Sequence, residues 1–328
     1  MGNDKNNAVW VGFDLGATKM LAKVYNGGFN ELGRNKSKTR SNQGMDAGLQ
    51  RIVECIRKAL DAGGVPDGNV AGIGVGSPGP LDLDKGVLLS PPNLGWDNAP
   101  LKKTLEKAFK CPAVVLNDVD AGVYGEYRQG AGRKARCVVG VFPGTGIGGG
   151  CVYEGRIIRG GNKSCFEIGH CRVLPDGPLC GCGRRGCLEA VANRLAIAAA
   201  ASAAAYRGEA PYLLAQAGTD IAKIRSSVLA ASIKAGDKAV ERIVRMAASW
   251  IGVGISSAVN LMNPDVVVLG GGLVEAMPDI FREEVERAAR EHVMPEFEKD
   301  FKVAVAELGD DAVAIGAAAW AREILTSK

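Results

Sequence analysis

The chain has 328 residues, 47% of them hydrophobic and 23% charged, with a net charge of +4. That length exceeds one average domain and that composition is globular, so two lobes are expected and a disordered chain is excluded. The Lys and Arg residues are scattered rather than striped, so no nucleic-acid partner is expected. The nine Cys are an odd number, unevenly spaced, which argues against a disulfide framework and for a reducing cytoplasm. Residues 1–7 are polar and the apolar run 9–13 is too short for a secretory signal. The longest weakly polar stretches, 195–206 and 247–262, fall short of a membrane span, so no membrane partner is expected either.

The first apolar run, 9–13, predicts a strand. It leads through Asp14-Leu15-Gly16-Ala17-Thr18-Lys19 into a second run over 20–25, which makes a hairpin with a small-residue tip. A helix over 45–62, a buried strand over 70–76, a Pro- and Gly-rich loop over 77–100, a helix over 101–110 and a strand over 113–116 follow. Residues 137–153 repeat the opening device: strand, glycine-rich tip Pro143-Gly144-Thr145-Gly146-Ile147-Gly148-Gly149-Gly150, strand. Helices are expected over 188–206 and 238–262, a short strand over 266–269 ending in Gly270-Gly271-Gly272, and a last helix over 312–325. Strands alternating with helices predict two α/β lobes, 1–117 and 118–311, with the final helix 312–328 packed back on the first.

Several motifs carry chemistry. Asp14, Gly16, Thr18 and Lys19 place an acid, an open backbone, a hydroxyl and a cation on one tip, a set suited to phosphate oxygens and a phosphate-bound Mg²⁺. Taken alone, the hexapeptide would serve equally as a polar turn. Gly144, Thr145 and Gly146 could cradle a second phosphate. Gly144-x-Gly146-x-x-Gly149 also matches the dinucleotide fingerprint, but that fingerprint needs a following helix and here a strand follows, so a Rossmann site is excluded. Asn117-Asp118 ends a strand where an α/β lobe presents catalytic groups, although either residue could instead cap a helix. The loops Gly76-Ser77-Pro78-Gly79-Pro80 and Pro92-Asn93-Leu94-Gly95-Trp96 are rigid, and Asn93 offers both a donor and an acceptor.

The most specific motif joins Glu167-Ile168-Gly169-His170 to Cys180-Gly181-Cys182-Gly183-Arg184-Arg185-Gly186-Cys187-Leu188-Glu189. One imidazole and three thiolates, His170, Cys180, Cys182 and Cys187, are the ligand set of a closed tetrahedral Zn²⁺ site. Cys165 and Cys171 are rivals by proximity, while Cys55, Cys111, Cys137 and Cys151 read as core residues.

Together these motifs resemble the ROK family of sugar kinases, within the actin-like, hexokinase-like ATPase superfamily. The resemblance spans nearly the whole chain, and the zinc block is its most specific part. It implies a two-lobed actin-like ATPase fold of the ribonuclease H-like kind with an active-site cleft between the lobes. The implied activity is ATP-dependent phosphorylation of a hexose hydroxyl, with Mg²⁺ and a structural Zn²⁺. Asp118 would be the general base. Gly79, Asn93, Asn117, Glu167, His170 and Glu189 would bind the sugar. Asp14 would help hold Mg²⁺, Gly16, Thr18, Lys19, Gly144, Thr145 and Gly146 would surround the phosphates, and Gly271 and Gly272 would lie against the adenosine. With one ring nitrogen on zinc, His170 would carry a proton on the other and donate it to the sugar.

Glucose, giving glucose 6-phosphate, is the first substrate reading. Fructose, N-acetylmannosamine or a non-catalytic sugar sensor are the alternatives, and a homodimer or tetramer is implied. Family repressors carry a winged helix before the first phosphate motif; thirteen residues precede Asp14 here, so none is expected. Two stretches and one single position, Asp120 where the family often has Asn, depart from the family. Lys163-Ser164-Cys165-Phe166 stands where small residues and glycine are usual, and Ala192-Asn193-Arg194 replaces an Ala-Ser-Gly-like run.

Overall fold

An unbroken apolar strand is stable only between two neighbours and under cover on both faces, and β1 (Val9–Leu15) has both. The computed structural model describes residues 8–327, so the polar start at 1–7 lies outside the described residues. β1 pairs antiparallel with β2 (Lys19–Tyr25), which pairs antiparallel with β3 (Glu31–Lys38). After α1 (Met45–Ala62), β4 (Val70–Ser77) lies parallel to β1. The 77–100 loop carries a ribbon of β5 (Leu81–Asp82) and β6 (Val87–Leu88). α2 (Leu101–Phe109) leads to β7 (Ala113–Asn117), parallel to β4, and then to α3 (Asp118–Gln129). The sheet order is β3-β2-β1-β4-β7. β3 was not foreseen, because its sequence is mostly polar, as befits a charged edge strand.

The second unit repeats this plan. β8 (Cys137–Pro143) and β9 (Ile147–Tyr153) form the second hairpin, edged by β10 (Arg156–Ile157). Helices α4 (Leu188–Ala192), α5 (Arg194–Tyr206), α6 (Pro211–Ala217), α7 (Ser226–Lys234) and α8 (Lys238–Met262) follow. β11 (Val266–Leu269) joins β8 in parallel; after α9 (Gly272–Ala276) and α10 (Pro278–His292), β12 (Lys302–Val305) joins β11 in parallel. The order is β10-β9-β8-β11-β12, the same arrangement of two antiparallel and then two parallel pairings. The single helix expected over 188–206 is two helices. Asn193 breaks it and caps the second, its side chain accepting from Ala196 N at 2.8 Å. β9, a strand, follows the glycine tip, as the exclusion of a Rossmann site requires.

The chain divides into unit 1, Met1–Arg133 with Asp310–Lys328, and unit 2, Lys134–Gly309. This corrects the boundary expected at 117/118. α3 packs on β4, β7 and α11 (Ala312–Thr326), so it belongs to unit 1 rather than opening the second. Inward residues of β1 alternate between two covers. Val11, Phe13 and Leu15 face α1 and α2, whereas Trp10 meets Ala318 and Ala321 of α11. α11 is nearly all small residues on its buried side, which lets helix and sheet backbones approach closely. A Cβ at Gly74 would overlap the carbonyl oxygen of Ala317, and one at Gly316 that of Ala121. Gly74→Ala should therefore destabilise unit 1 by about 1–3 kcal/mol, the range for overpacking, as a lowered midpoint in urea denaturation.

Candidate active site

Unit 1 gathers its candidate residues at the carboxyl ends of three neighbouring strands. Register pairs Asp14 of β1 with Gly76 of β4, and Ser77 of β4 with Asn117 of β7. A Cβ on Gly76 would lie 3.6 Å from the Asp118 Cα, so the two aspartates stand on one edge of the sheet. Of the two readings of Asn117-Asp118, the helix cap is met by one residue. Asn117 is the cap, its Oδ1 accepting from Val119 N at 2.8 Å and Asp120 N at 3.3 Å. That leaves Asp118 at the first helical position with only Val119 N, at 2.9 Å, on one carboxylate oxygen. Asn117 keeps its amide NH₂ for a ligand.

Burial holds the Asp118 carboxyl above the usual carboxylate range. Burial, and then the charge of Asp118, pushes Asp14 up to about 7. Two carboxylates that resist ionising side by side favour a proton or a cation between them. The adjoining tip is closed by Gly16 N donating to Lys19 O at 3.0 Å, and Thr39 Oγ1 donates to Gly16 O at 2.6 Å. Thr18 is exposed at its apex. Lys19, expected on phosphate, pairs with Asp310 at 2.9 Å in a cluster that includes Lys36; both partners are more than half exposed, so the pair is weak and exchangeable. Gly79 is half-buried in the loop after β4. Asn93 is exposed in a turn pinned by buried Leu94 and Trp96.

In unit 2 the glycine tip has three residues between paired strand ends, Gly144, Thr145 and Gly146, one fewer than lie between Leu15 and Met20 in unit 1. Its backbone is held from outside. Arg194 N donates to Gly144 O at 2.9 Å, and Ile147 N donates to Glu189 Oε2 at 2.9 Å. Gly169 lies so close that a Cβ there would overlap Ile147 O. Gly271 sits at φ 82° against Pro143, where a Cβ would come within 2.8 Å of the Pro143 carbonyl oxygen, which brings Gly271 and Gly272 beside the tip.

The ligand atoms of His170, Cys180, Cys182 and Cys187 lie within 4.8 Å of one another. Cys180 Sγ is 3.6 Å from His170 Nδ1, and Cys182 Sγ is 3.7 Å from Cys187 Sγ. A tetrahedral ion with metal–sulfur distances of about 2.3 Å and metal–nitrogen distances of about 2.0 Å has edges of about 3.5–3.8 Å, so this set fits a metal ion. Burial, then the neighbouring sulfurs, pushes the Cys187 thiol up to about 12, and a cation among them is what would favour the thiolates. The rivals drop out: Cys165 Sγ donates to Ile158 O at 3.1 Å, and neither Cys165 nor Cys171 joins the cluster. With Nδ1 turned to the sulfurs, His170 keeps Nε2 for another partner. Glu167 is exposed and accepts from Ser164 Oγ at 3.3 Å. Lys163 and Phe166 adopt φ of 64° and 62°, the left-handed region that glycine occupies without strain.

An open groove of about 820 Å³ lies beside this tip, lined by Arg194, Arg225, Ser226, Ser227, Gly272 and Glu275 among others. Of these the sequence pointed only to Gly272 and, as a departure from the family pattern, to Arg194. Nothing in the local sequence tells that α5 and α7 turn their first residues towards α9.

The match to the ROK family spans residues 10–324. A glucokinase of Halalkalibacterium halodurans is 30% identical over 311 residues, 94% of this chain and 93% of that one. The structure is similar to that of a ROK hexokinase from Thermus thermophilus, with a TM-score of 0.84 and 33% identity over 98% of this chain and 100% of the other. It is also similar to a ROK glucokinase from Streptomyces griseus in complex with glucose and AMPPNP, with a TM-score of 0.80, 30% identity, and coverage of 96% and 100%. Those structures have the two-lobed actin-like ATPase fold. The chain belongs to the ROK family, and within it to the sugar kinases.

Proposed function

We propose that this kinase transfers the terminal phosphoryl group of Mg-ATP to the 6-hydroxyl of glucose. The observation that carries the reading is the division of labour at residues 117–118. Asn117 takes the cap, which frees Asp118 to accept the proton of the attacking hydroxyl as phosphoryl transfer proceeds. The similar Streptomyces griseus glucokinase holds glucose and AMPPNP, which supports this donor and this acceptor. Asp14 would hold Mg²⁺, which supplies neutralisation of charge on the donor's phosphates. The Gly16–Thr18 and Gly144–Gly146 tips would offer backbone N–H groups to those phosphates, with Lys19 free to leave its exposed partner.

Gly79, Asn93, the Asn117 amide, Glu167, His170 and Glu189 would hold the sugar. We assign the four-residue cluster to structural Zn²⁺ on its ligand chemistry and spacing. Zinc on Nδ1 would leave the proton on His170 Nε2, a donor for a sugar hydroxyl. Glu189 supports the tip through Ile147 N, so only part of its carboxylate would remain for the sugar.

A coupled assay of ADP release across glucose, mannose, fructose and N-acetylmannosamine should give the highest kcat/KM with glucose, and Asp118→Asn should lower kcat by about 10²–10⁴ without abolishing glucose binding. Sugar binding without turnover of any hexose by the unaltered protein would instead mark a sensor. Asp118 must be ionised to act as a base, and its folded carboxyl is raised by burial. Activity should therefore fall with decreasing pH at a midpoint above the ordinary carboxylate value of about 4, and a kcat/KM profile against pH reads this directly. Cys182→Ser should lose bound zinc, lower the thermal midpoint and weaken glucose binding; calorimetric glucose affinity that stays unchanged in zinc-free protein would overturn the role given to the cluster.

A further inference from the structure

Arg194 is the first residue of α5, and it is tied to the glycine tip twice. Its main-chain N–H donates to Gly144 O at 2.9 Å, and its Nη2 donates to Thr145 Oγ1 at 3.3 Å. A guanidinium has five donors, and this one makes no carboxylate pair among the described residues. Glu189, five residues earlier, is turned to Ile147 N and to within 3.9 Å of Cys180 Sγ instead. Arg194 also lines the open groove of about 820 Å³, whose other polar groups include Arg225, Ser226 and Ser227 at the start of α7 and Glu275 on α9. Arg225 likewise has no side-chain partner among the described residues. The groove thus sets two uncompensated cations, and the first N–H groups of a nine-residue helix, against a single acid.

We propose that Arg194 is a donor-specificity residue, which grips the phosphates of a nucleoside triphosphate between the groove that receives the nucleoside and the Thr145 tip. The proposal rests on the kinase reading and adds to it a residue at which the family pattern has no charge. A planar guanidinium fork suits a phosphate run better than any small residue there, because it binds two oxygens at once and cannot be deprotonated. Its hydrogen bond to Thr145 at 3.3 Å, with its place in the groove lining, puts that fork at the passage from groove to tip. Arg225 and the α7 N-terminus then bias the same groove towards anionic ligands. The surviving acid, Glu275, suits a hydroxyl or amino donor of the nucleoside.

The test is a calorimetric titration of the full chain with Mg-AMPPNP and, separately, with adenosine. Arg194→Ala should weaken AMPPNP about tenfold or more, the scale of a charge-assisted phosphate contact, and leave adenosine affinity unchanged. Arg194→Lys should recover part of the loss. Equal weakening of both ligands would show that Arg194 only props the tip, and overturn the proposal; so would unchanged AMPPNP affinity in Arg194→Ala. Either result, with the unaltered protein still binding AMPPNP and phosphorylating sugar, removes this proposal alone. Failure of the unaltered protein to bind AMPPNP at all removes the kinase reading and this proposal together.

Discussion

The three-residue glycine tip of unit 2 makes one bond of its own, Gly144 N donating to Gly146 O at 2.8 Å, and takes further backbone support from other elements of the unit. Gly144 O is met by Arg194 N, Ile147 N by the Glu189 carboxylate, and the Ile147 carbonyl is covered by Gly169. Those partners come from the start of α5, from α4 and from the loop that presents His170. Buried N–H and C=O groups must find partners, so the tip constrains each of these elements in turn. The His170-Cys180-Cys182-Cys187 cluster is therefore connected to the glycine tip through one carboxylate: Glu189 has one oxygen on Ile147 N and the other 3.9 Å from Cys180 Sγ.

Unit 1 solves a different problem on the same sheet plan. Its tip is closed by its own strand and by Thr39, and the tension lies in the acids beside it. Asp14 and Asp118 are brought together because parallel β1, β4 and β7 end in register, and both carboxyls are raised from their usual range. Holding two carboxyls in partial burial costs stability whenever both are ionised. Such sites persist where a cation or a proton in transit makes use of them. Asn117 contributes locally, because its cap on α3 leaves the next residue with a single N–H, that of Val119, on one carboxylate oxygen.

Much of the scaffold was legible because its signals are local. The apolar run at 9–13, the turn after it and the period-3.6 pattern over 45–62 each specify an element without help from distant residues, and the helices over 45–62 and 238–262 fall where expected. β3 was not legible, since an edge strand of Glu, Arg, Asn and Lys shows no alternation of apolar residues. The break at Asn193 was hidden in an alanine-rich stretch that is helical on both sides. The unit boundary was misplaced for a related reason. α3 follows its strand as a helix does in either unit, and only its packing against α11, nearly two hundred residues later, assigns it to the first.

The site divides along the same line. By itself the sequence determined the chemical types: two tips with exposed backbone, an acid after a buried strand, and a His-Cys-Cys-Cys set whose glycine spacing has few other uses. These are properties of short segments, and short-range covalent geometry limits what such segments can do. The tertiary structure alone decided that Asn117 rather than Asp118 caps α3, that Cys165 and Cys171 stay out of the four-residue His-Cys cluster, that Lys19 meets Asp310, and that Arg194 meets Thr145. Each of these is a choice between partners of equal chemistry. Such choices depend on distances set by packing between elements far apart in the chain, and no local pattern records them.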